Sequence, residues 1–301
     1  MSMKKILLTW SNGMLGTDFI KQFGKTFEIV ALDRNNGDIT NRASMEELIK
    51  KTIPDIIVNF AAYTNVEAAE DIWRKMNFDV NSLWVHNLAK LSAEHAIDLI
   101  TISTDYVFDG SKKEWYTEDD VCNPINSYGM AKYLWEQLAQ QENPESIIIR
   151  TSRLYWWGKE FIERRDDKGD VERIPRYKNF VNTIINLWTN RDEVKVVNDQ
   201  MGAPTYTIDL CEAITKIINN TEDYKWKILH FCNQTKNDGI SWFEFAEEIC
   251  KVTGIQTKLT PCSSQEFVTK APRPQCSKLI NWSDIHLRDW KEWLHEYLAT
   301  L

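Results

Sequence analysis

Tyr128 and Lys132 stand four residues apart in Tyr128-Gly129-Met130-Ala131-Lys132, and on a helix residues so spaced lie on one face. That pairing suits proton transfer. A free tyrosine titrates near ~10, too high for an efficient relay at neutral pH. An ammonium beside it favours the phenolate and lowers that value, and the same lysine can bind a nicotinamide ribose. The spacing alone is not specific, because Tyr155 and Lys159 share it. That second pair follows an apolar run with strand character and encloses Gly158, so no helix aligns its side chains. Tyr128 instead opens a helical stretch, preceded by Asn123-Pro124-Ile125-Asn126-Ser127.

Upstream, Ser103-Thr104-Asp105-Tyr106 ends an apolar strand, where parallel sheets place their sites. Thr104 can hydrogen-bond the substrate oxygen that Tyr128 protonates. Asp105 or Tyr106 can orient the substrate or handle a second proton; the plainer reading of Asp105 is a helix or turn cap. A cofactor site is readable at Trp10-Ser11-Asn12-Gly13-Met14-Leu15-Gly16. Glycines in such a strand-to-helix turn let the backbone approach a pyrophosphate and present amides at a helix N-terminus. Gly13 and Gly16 are in place, but the first glycine position carries Trp10, which is not expected to turn by glycine's route. Asp33, ending the second strand, suits a ribose hydroxyl. Arg34 beside it either pairs with the 2′-phosphate of NADP or is an exposed loop charge. NADPH and NADH both remain open as cofactors.

Positioning these residues requires strands that end near one another. Apolar runs at 4–10, 27–33, 54–62, 97–104 and 146–155 alternate with helical patterns at 14–23, 44–52, 79–95 and 127–141. Ser44 with Glu47 fits a capping box for the second helix. Fully apolar strands alternating with helices indicate a parallel sheet covered on both faces, with right-handed crossovers. The expected fold is α/β, a Rossmann-like doubly wound sheet with a smaller C-terminal α/β substrate domain. Residues 1–155 form the NAD(P)-binding part, with elements of about 179–232 returning to it; 156–178 and 233–301 supply an insertion and the substrate domain. Segment 156–178 is dense in both charge signs and reads as a solvated excursion or, more sharply, a lid over the substrate. A capping box at Ser241 and Glu244, with Gly254 as terminator, marks a helix in the last third.

The composition narrows the function further. A net charge of −8 argues against nucleic-acid binding, which needs clustered cations. No apolar run reaches the ~18 residues of a membrane span, and no signal peptide is apparent. The six cysteines lack metal-ligand spacing, so they read as reduced thiols of a cytoplasmic protein with no metal site.

The order of segments resembles the dTDP-4-dehydrorhamnose reductase family of extended short-chain dehydrogenases/reductases. The resemblance runs through Pro54-Asp55, Ala61 to Glu70 (AAYTNVEAAE), Ser103 to Gly110 (STDYVFDG) and Tyr128 to Lys132 (YGMAK). It continues in Arg150-Thr151-Ser152, Asn179-Phe180-Val181, Asp199 to Thr205 (DQMGAPT) and Pro272-Arg273-Pro274. It implies hydride transfer from NAD(P)H to C4 of a nucleotide-linked 4-keto-6-deoxy sugar, with Tyr128 as proton donor. It also implies cofactor contacts at Gly13, Met14, Leu15, Asp38, Ile39, Ala61, Ala62, Tyr63, Tyr128 and Lys132. The substrate is expected against Thr104, Asp105 and Arg153, with Arg273 facing its phosphates; the chain can pair as a homodimer. Three features depart from the family: Trp10 for glycine, Arg153 for an aromatic residue after Arg-Thr-Ser, and the inserted 156–178. They keep two alternatives in view, a reductase or epimerase of another nucleotide sugar, and a non-catalytic NADP-binding subunit like the beta subunit of methionine adenosyltransferase.

Overall fold

A computed structural model describes residues 3–33, 36, 39–156, 161–165, 171–175, 179–188, 191–235 and 239–299. At its centre lies one parallel sheet. Its strands are β1 (Lys5–Thr9), β2 (Glu28–Ala31), β3 (Ile56–Asn59), β4 (Asp98–Thr104), β5 (Ile147–Thr151) and β6 (Ile228–Phe231), hydrogen-bonded in the order β6-β5-β4-β3-β1-β2. Every pairing is parallel. The helices between them are α1 (Met14–Phe23), α2 (Arg42–Thr52), α3 (Trp84–Glu94), α4 (Ser127–Glu142) and α5 (Thr207–Asn219).

Side chains alternate across the strands because the strand period is two. Ile6, Leu8, Val58, Ile100 and Ile149 pack towards α1 and α5, against Phe19, Leu210 and Ile214. Leu7, Ile57, Leu99 and Ile148 pack the other way, against Met45 and Ile49 of α2, Leu88 of α3 and Trp135 of α4. Both faces are therefore covered, which is why these strands read as continuous apolar runs. The doubly wound expectation holds.

Local differences have local causes. Helix α2 starts at Arg42, before Ser44, because Asn41 accepts a hydrogen bond from the Ser44 amide at 3.1 Å and serves as the cap. Residues 66–78, which carry no clear helical period, contain short helices at Val66–Ala69 and Arg74–Phe78, and a π turn at Asp79–Leu83 leads into α3. The capping box of Ser241 and Glu244 forms as expected, and Gly254 ends that helix with φ 71°.

A further core surrounds Tyr155, Phe245 and Trp293, within helices Phe180–Trp188, Trp242–Thr253 and Trp290–Leu298. Tyr155 stacks on Trp293 with ring centroids 3.8 Å apart. It is a packing residue, and Lys159 lies outside the described residues. Strands Glu193–Val197 and Lys258–Cys262 pair in parallel beside this core. Within the charged insertion, Phe161–Arg165 and Val171–Pro175 form an antiparallel hairpin. Among the described residues no helix is long and apolar enough to cross a membrane.

Candidate active site

The carboxyl ends of β1, β3, β4 and β5 open into a cavity of about 530 Å³, the place where such sheets bind ligands. On one side stands the start of α1. Its cap, Gly13, is extended (φ −76°, ψ 174°), makes no side-chain cap, and is followed by no acidic residue in the first turn. Helix N-termini carry orphan amides and partial positive charge, and here Gly13, Met14, Leu15 and Gly16 all line the cavity.

Trp10 takes glycine's route after all. Its φ is 54°, in the left-handed region that costs an L-residue roughly 1–2 kcal/mol. The turn is held because the Ser11 amide donates to the Leu32 carbonyl at 2.8 Å and the Gly13 amide to the Trp10 carbonyl at 2.9 Å. The indole packs against the apolar side chains on both faces of the sheet, burial that offsets the strain. The ring also explains Gly13, where a Cβ would sit 2.3 Å from Trp10 Cδ1.

Of the other expected cofactor residues, Ala62 lines the cavity. Ala61 is buried behind it, its amide 3.3 Å from Thr9 Oγ1. The Tyr63 amide donates to Asn81 Oδ1 at 2.9 Å, and Ile39 belongs to the sheet core. Asp33 exchanges hydrogen bonds with Asn36, its amide donating at 2.7 Å and its carboxylate accepting at 3.2 Å. Asp33, Ile39, Ala61 and Tyr63 are not in the cavity wall. Arg34 and Asp38 lie outside the described residues. A dinucleotide nevertheless fits the wall that is present: an uncapped helix start, and the buried Ser103 hydroxyl with no hydrogen-bond partner among the described residues.

Opposite stands the start of α4. Asn126 caps it by accepting from the Gly129 amide at 2.7 Å, and Glu70 accepts from the Ser127 amide and hydroxyl at 2.6 and 2.8 Å. Gly129 allows the close approach of helix and turn, because a Cβ there would meet the Tyr106 carbonyl at 2.1 Å. Tyr128 is thereby set against Thr104, within hydrogen-bonding reach of its hydroxyl, and edge-on to Tyr106 with centroids 6.0 Å apart. Burial drives the Tyr128 phenol above its ordinary value, opposed by the Thr104 hydrogen bond. This corrects the expectation that Lys132 lowers it. Lys132 is buried, donates to the Ile102 carbonyl at 2.5 Å, and is pulled down to about 8 by its own desolvation, with Glu136 opposing. Tyr128 is a protonated acid in this geometry, the form that a proton donor requires.

The remaining wall comes from farther along the chain. Asp105, buried, accepts from Ser277 Oγ at 2.5 Å and from Thr104 Oγ1 at 3.1 Å, and burial pushes its carboxyl up to about 6. Its role as a turn cap does not hold: Thr104 Oγ1 accepts from the Tyr106 amide at 3.2 Å and caps the turn. Arg153 has φ 46° and lies in the wall, its guanidinium 4.1 Å from the centre of the Trp242 ring. It donates to the carbonyls of Ile240 and Gln200 at 2.8 and 2.9 Å, and desolvation lowers it to about 10. Gly202 presses on its other side, where a Cβ would come 2.8 Å from Nε. Arg273 pairs with Glu67 at 2.8 Å and stays out of the wall, which Pro274 reaches. The site thus gathers Gly13, Met14, Leu15, Ala62, Thr104, Asp105, Tyr128, Lys132 and Arg153. Sequence reasoning missed Gln200, Trp242 and Ser277 as wall residues. Gln200 sits in the DQMGAPT segment that could have flagged it; Trp242 and Ser277 carry no local signal.

Known proteins are similar to this chain in sequence and fold. The family described as RmlD substrate binding domain matches residues 3–301. The chain is 34% identical to the spore coat polysaccharide biosynthesis protein SpsK of Bacillus subtilis, over 98% of this chain and 97% of that protein. Two solved structures are similar along nearly their whole length. A dTDP-4-dehydrorhamnose reductase of Clostridium acetobutylicum is 36% identical, with a TM-score of 0.87 and coverage of 98% of this chain and 99% of that one. The dTDP-4-dehydrorhamnose reductase of Bacillus anthracis, solved with NADP, is 31% identical, with a TM-score of 0.88 and full coverage of both chains (100% each). Sequence and fold agree, and the chain belongs to the RmlD substrate binding domain family.

Proposed function

We propose that this chain is an NAD(P)H-dependent oxidoreductase that reduces the 4-keto group of a nucleotide-linked 4-keto-6-deoxy sugar. The observation that carries this reading is the shared cavity, with the uncapped start of α1 on one side and Thr104, Tyr128 and Lys132 on the other. The solved reductase with NADP supports the cofactor. Bound reduced nicotinamide supplies the hydride for the carbonyl carbon. Tyr128 gives its phenolic proton to the carbonyl oxygen, which becomes the alcohol. Thr104 holds that oxygen, and Lys132 fixes the ribose. The amides of Met14, Leu15 and Gly16 take the pyrophosphate.

On the substrate side, Asp105 and Arg153 hold the sugar, and Arg273, next to the wall residue Pro274, meets the diphosphate by leaving its pair with Glu67. One observation favours a sugar nucleotide other than that of the reductases compared above. Arg153 offers a half-buried, flat cation stacked on Trp242 and lining the cavity, which suits hydrogen-bond acceptors on the substrate. The six cysteines are free thiols, which supports a reducing, cytoplasmic setting. Leu83, Met130 and Leu134 stand exposed before α3 and on α4, an apolar surface that a second copy would cover in a homodimer, as sedimentation would test.

The activity is tested by incubating the protein with NADPH or NADH and several nucleotide-linked 4-keto-6-deoxy sugars while following absorbance of the reduced nicotinamide. Stoichiometric oxidation with at least one sugar is expected. Cofactor binding without oxidation of any of them points to the non-catalytic subunit instead.

A further inference from the structure

Tyr128, Lys132 and Glu136 fall on one face of α4, four residues apart. A buried lysine and glutamate at that spacing would ordinarily find each other. Here Glu136, with no exposed surface, is taken at both oxygens by Arg150 on β5. Arg150 Nε lies 3.0 and 3.3 Å from its two oxygens, and Nη2 lies 2.7 Å from Oε2. Arg150 is held in turn by its surroundings, with Nη1 3.3 Å from His230 Nε2 and Nη2 3.1 Å from Cys122 Sγ. Lys132 is left to donate to the Ile102 carbonyl at 2.5 Å, its Nζ 4.8 Å from the centre of the Trp135 ring, and to line the cavity. Neither Glu136 nor Arg150 reaches the cavity wall.

We infer that the Arg150–Glu136 pair is a positioning device: Arg150 occupies the Glu136 carboxylate so that the Lys132 ammonium is presented to the cavity rather than drawn back along the helix. The inference rests on the reading of Lys132 as a cofactor-binding residue. Its physical basis is that a carboxylate buried without a partner attracts a nearby cation far more strongly than it would in water. With Arg150 gone, Lys132 is the cation available one helical turn away. The titratable groups around Lys132 are Tyr128 and Glu136 on its own helix, Asp105 past the end of β4, and Arg150 on β5 behind Glu136. The helical run packed on the outer side of α4 contributes Ser82, which is neutral and bonded to the Ala131 carbonyl. Glu136 already opposes the downward pull of burial on Lys132, and its grip strengthens once Arg150 is removed.

The test uses the full chain with Arg150→Gln, Glu136→Gln and the double variant. Two quantities are read: NADPH dissociation constant, and the titration of Lys132 followed by NMR of the 13C-labelled ε-carbon. Arg150→Gln should weaken NADPH roughly tenfold or more and move the Lys132 titration upward by about a unit or more. Removing the captor as well should return both readings to within a few-fold of wild type, which loss of packing alone would not do. A double variant no better than Arg150→Gln overturns the inference. If Arg150→Gln does not fold, the double variant against wild type decides, and a loss of roughly tenfold in NADPH affinity overturns it. Wild-type protein that binds no NADPH overturns the functional reading of the site, and the Lys132 titration then decides this inference by itself.

Discussion

The two walls of the cavity are built in different ways. The wall we assign to the cofactor consists of short continuous stretches, Gly13 to Gly16, Ile102 to Thr104 and Tyr128 with Lys132, which follow β1, end β4 and open α4. Backbone geometry fixes it, through an uncapped helix start and two glycines, Gly13 and Gly129, with no space for a Cβ. The wall we assign to the substrate is a set of single side chains, Asp105, Arg153, Gln200, Trp242 and Ser277, carried in from separated segments. A wall made of backbone persists as long as the sheet does. A wall made of side chains can change specificity by one substitution.

The largest effect is expected where the walls meet. Lys132→Met should lower turnover by roughly 10²-fold, the range of a misplaced reactant, and yet raise stability at pH 7. The sign follows from the shift. Lys132 is lowered from 10.5 to about 8 in the folded chain, so the unfolded chain binds more protons between those values and stability rises with pH there. The burden of burying the ammonium is complete below about 8 and fades by 10.5. Removing it should add on the order of 1–3 kcal/mol at pH 7, less the lost Ile102 hydrogen bond. Thermal melts at pH 7 and pH 10 would show the gain shrinking on the alkaline side.

The same shift predicts the rate profile. kcat/KM should fall about tenfold per pH unit above pH 8, as Lys132 loses its proton in the free enzyme. Asp105, raised to about 6, belongs to the other wall. Asp105→Asn should remove any transition near pH 6 and leave the alkaline limb in place; loss of the alkaline limb in that variant would break the separation of the walls.

A smaller and more selective effect is expected from Trp242→Ala. It removes the ring beneath Arg153, so KM for the sugar nucleotide should rise roughly tenfold while NADPH affinity changes by less than about twofold. Equal losses in both would show that the walls are not independent. Smallest of all is Gly13→Ala, whose added methyl collides with Trp10 Cδ1. NADPH binding should weaken a few-fold, and Trp10→Gly in the same chain should restore it, as calorimetric titration would show.

These walls were unequally legible in the sequence. The parallel sheet was readable because strands buried on both faces must be apolar throughout, and the strand ends located Thr104, Tyr128 and the Gly13 turn. What composition could not convey was backbone conformation at a single residue: Trp10 in the left-handed region looks, in sequence, like a missing glycine. Asn41 displaced Ser44 as a cap because both residue types compete for the same orphan amides. Trp242 and Ser277 were invisible for a different reason. Their place in the wall depends on how distant segments pack, and a tryptophan after a capping serine reads as ordinary helix surface. The Lys132 neighbourhood was half legible: the spacing to Tyr128 was apparent, but burial rather than charge pairing dominates both groups.

The central claim is that Tyr128 donates the proton that completes ketone reduction in a preformed cavity. It is tested most directly by Tyr128→Phe, assayed for NADPH oxidation with a nucleotide-linked 4-keto-6-deoxy sugar and, separately, for NADPH affinity. Turnover should fall by roughly 10²-fold or more with cofactor affinity nearly unchanged. Wild-type turnover in that variant would contradict it.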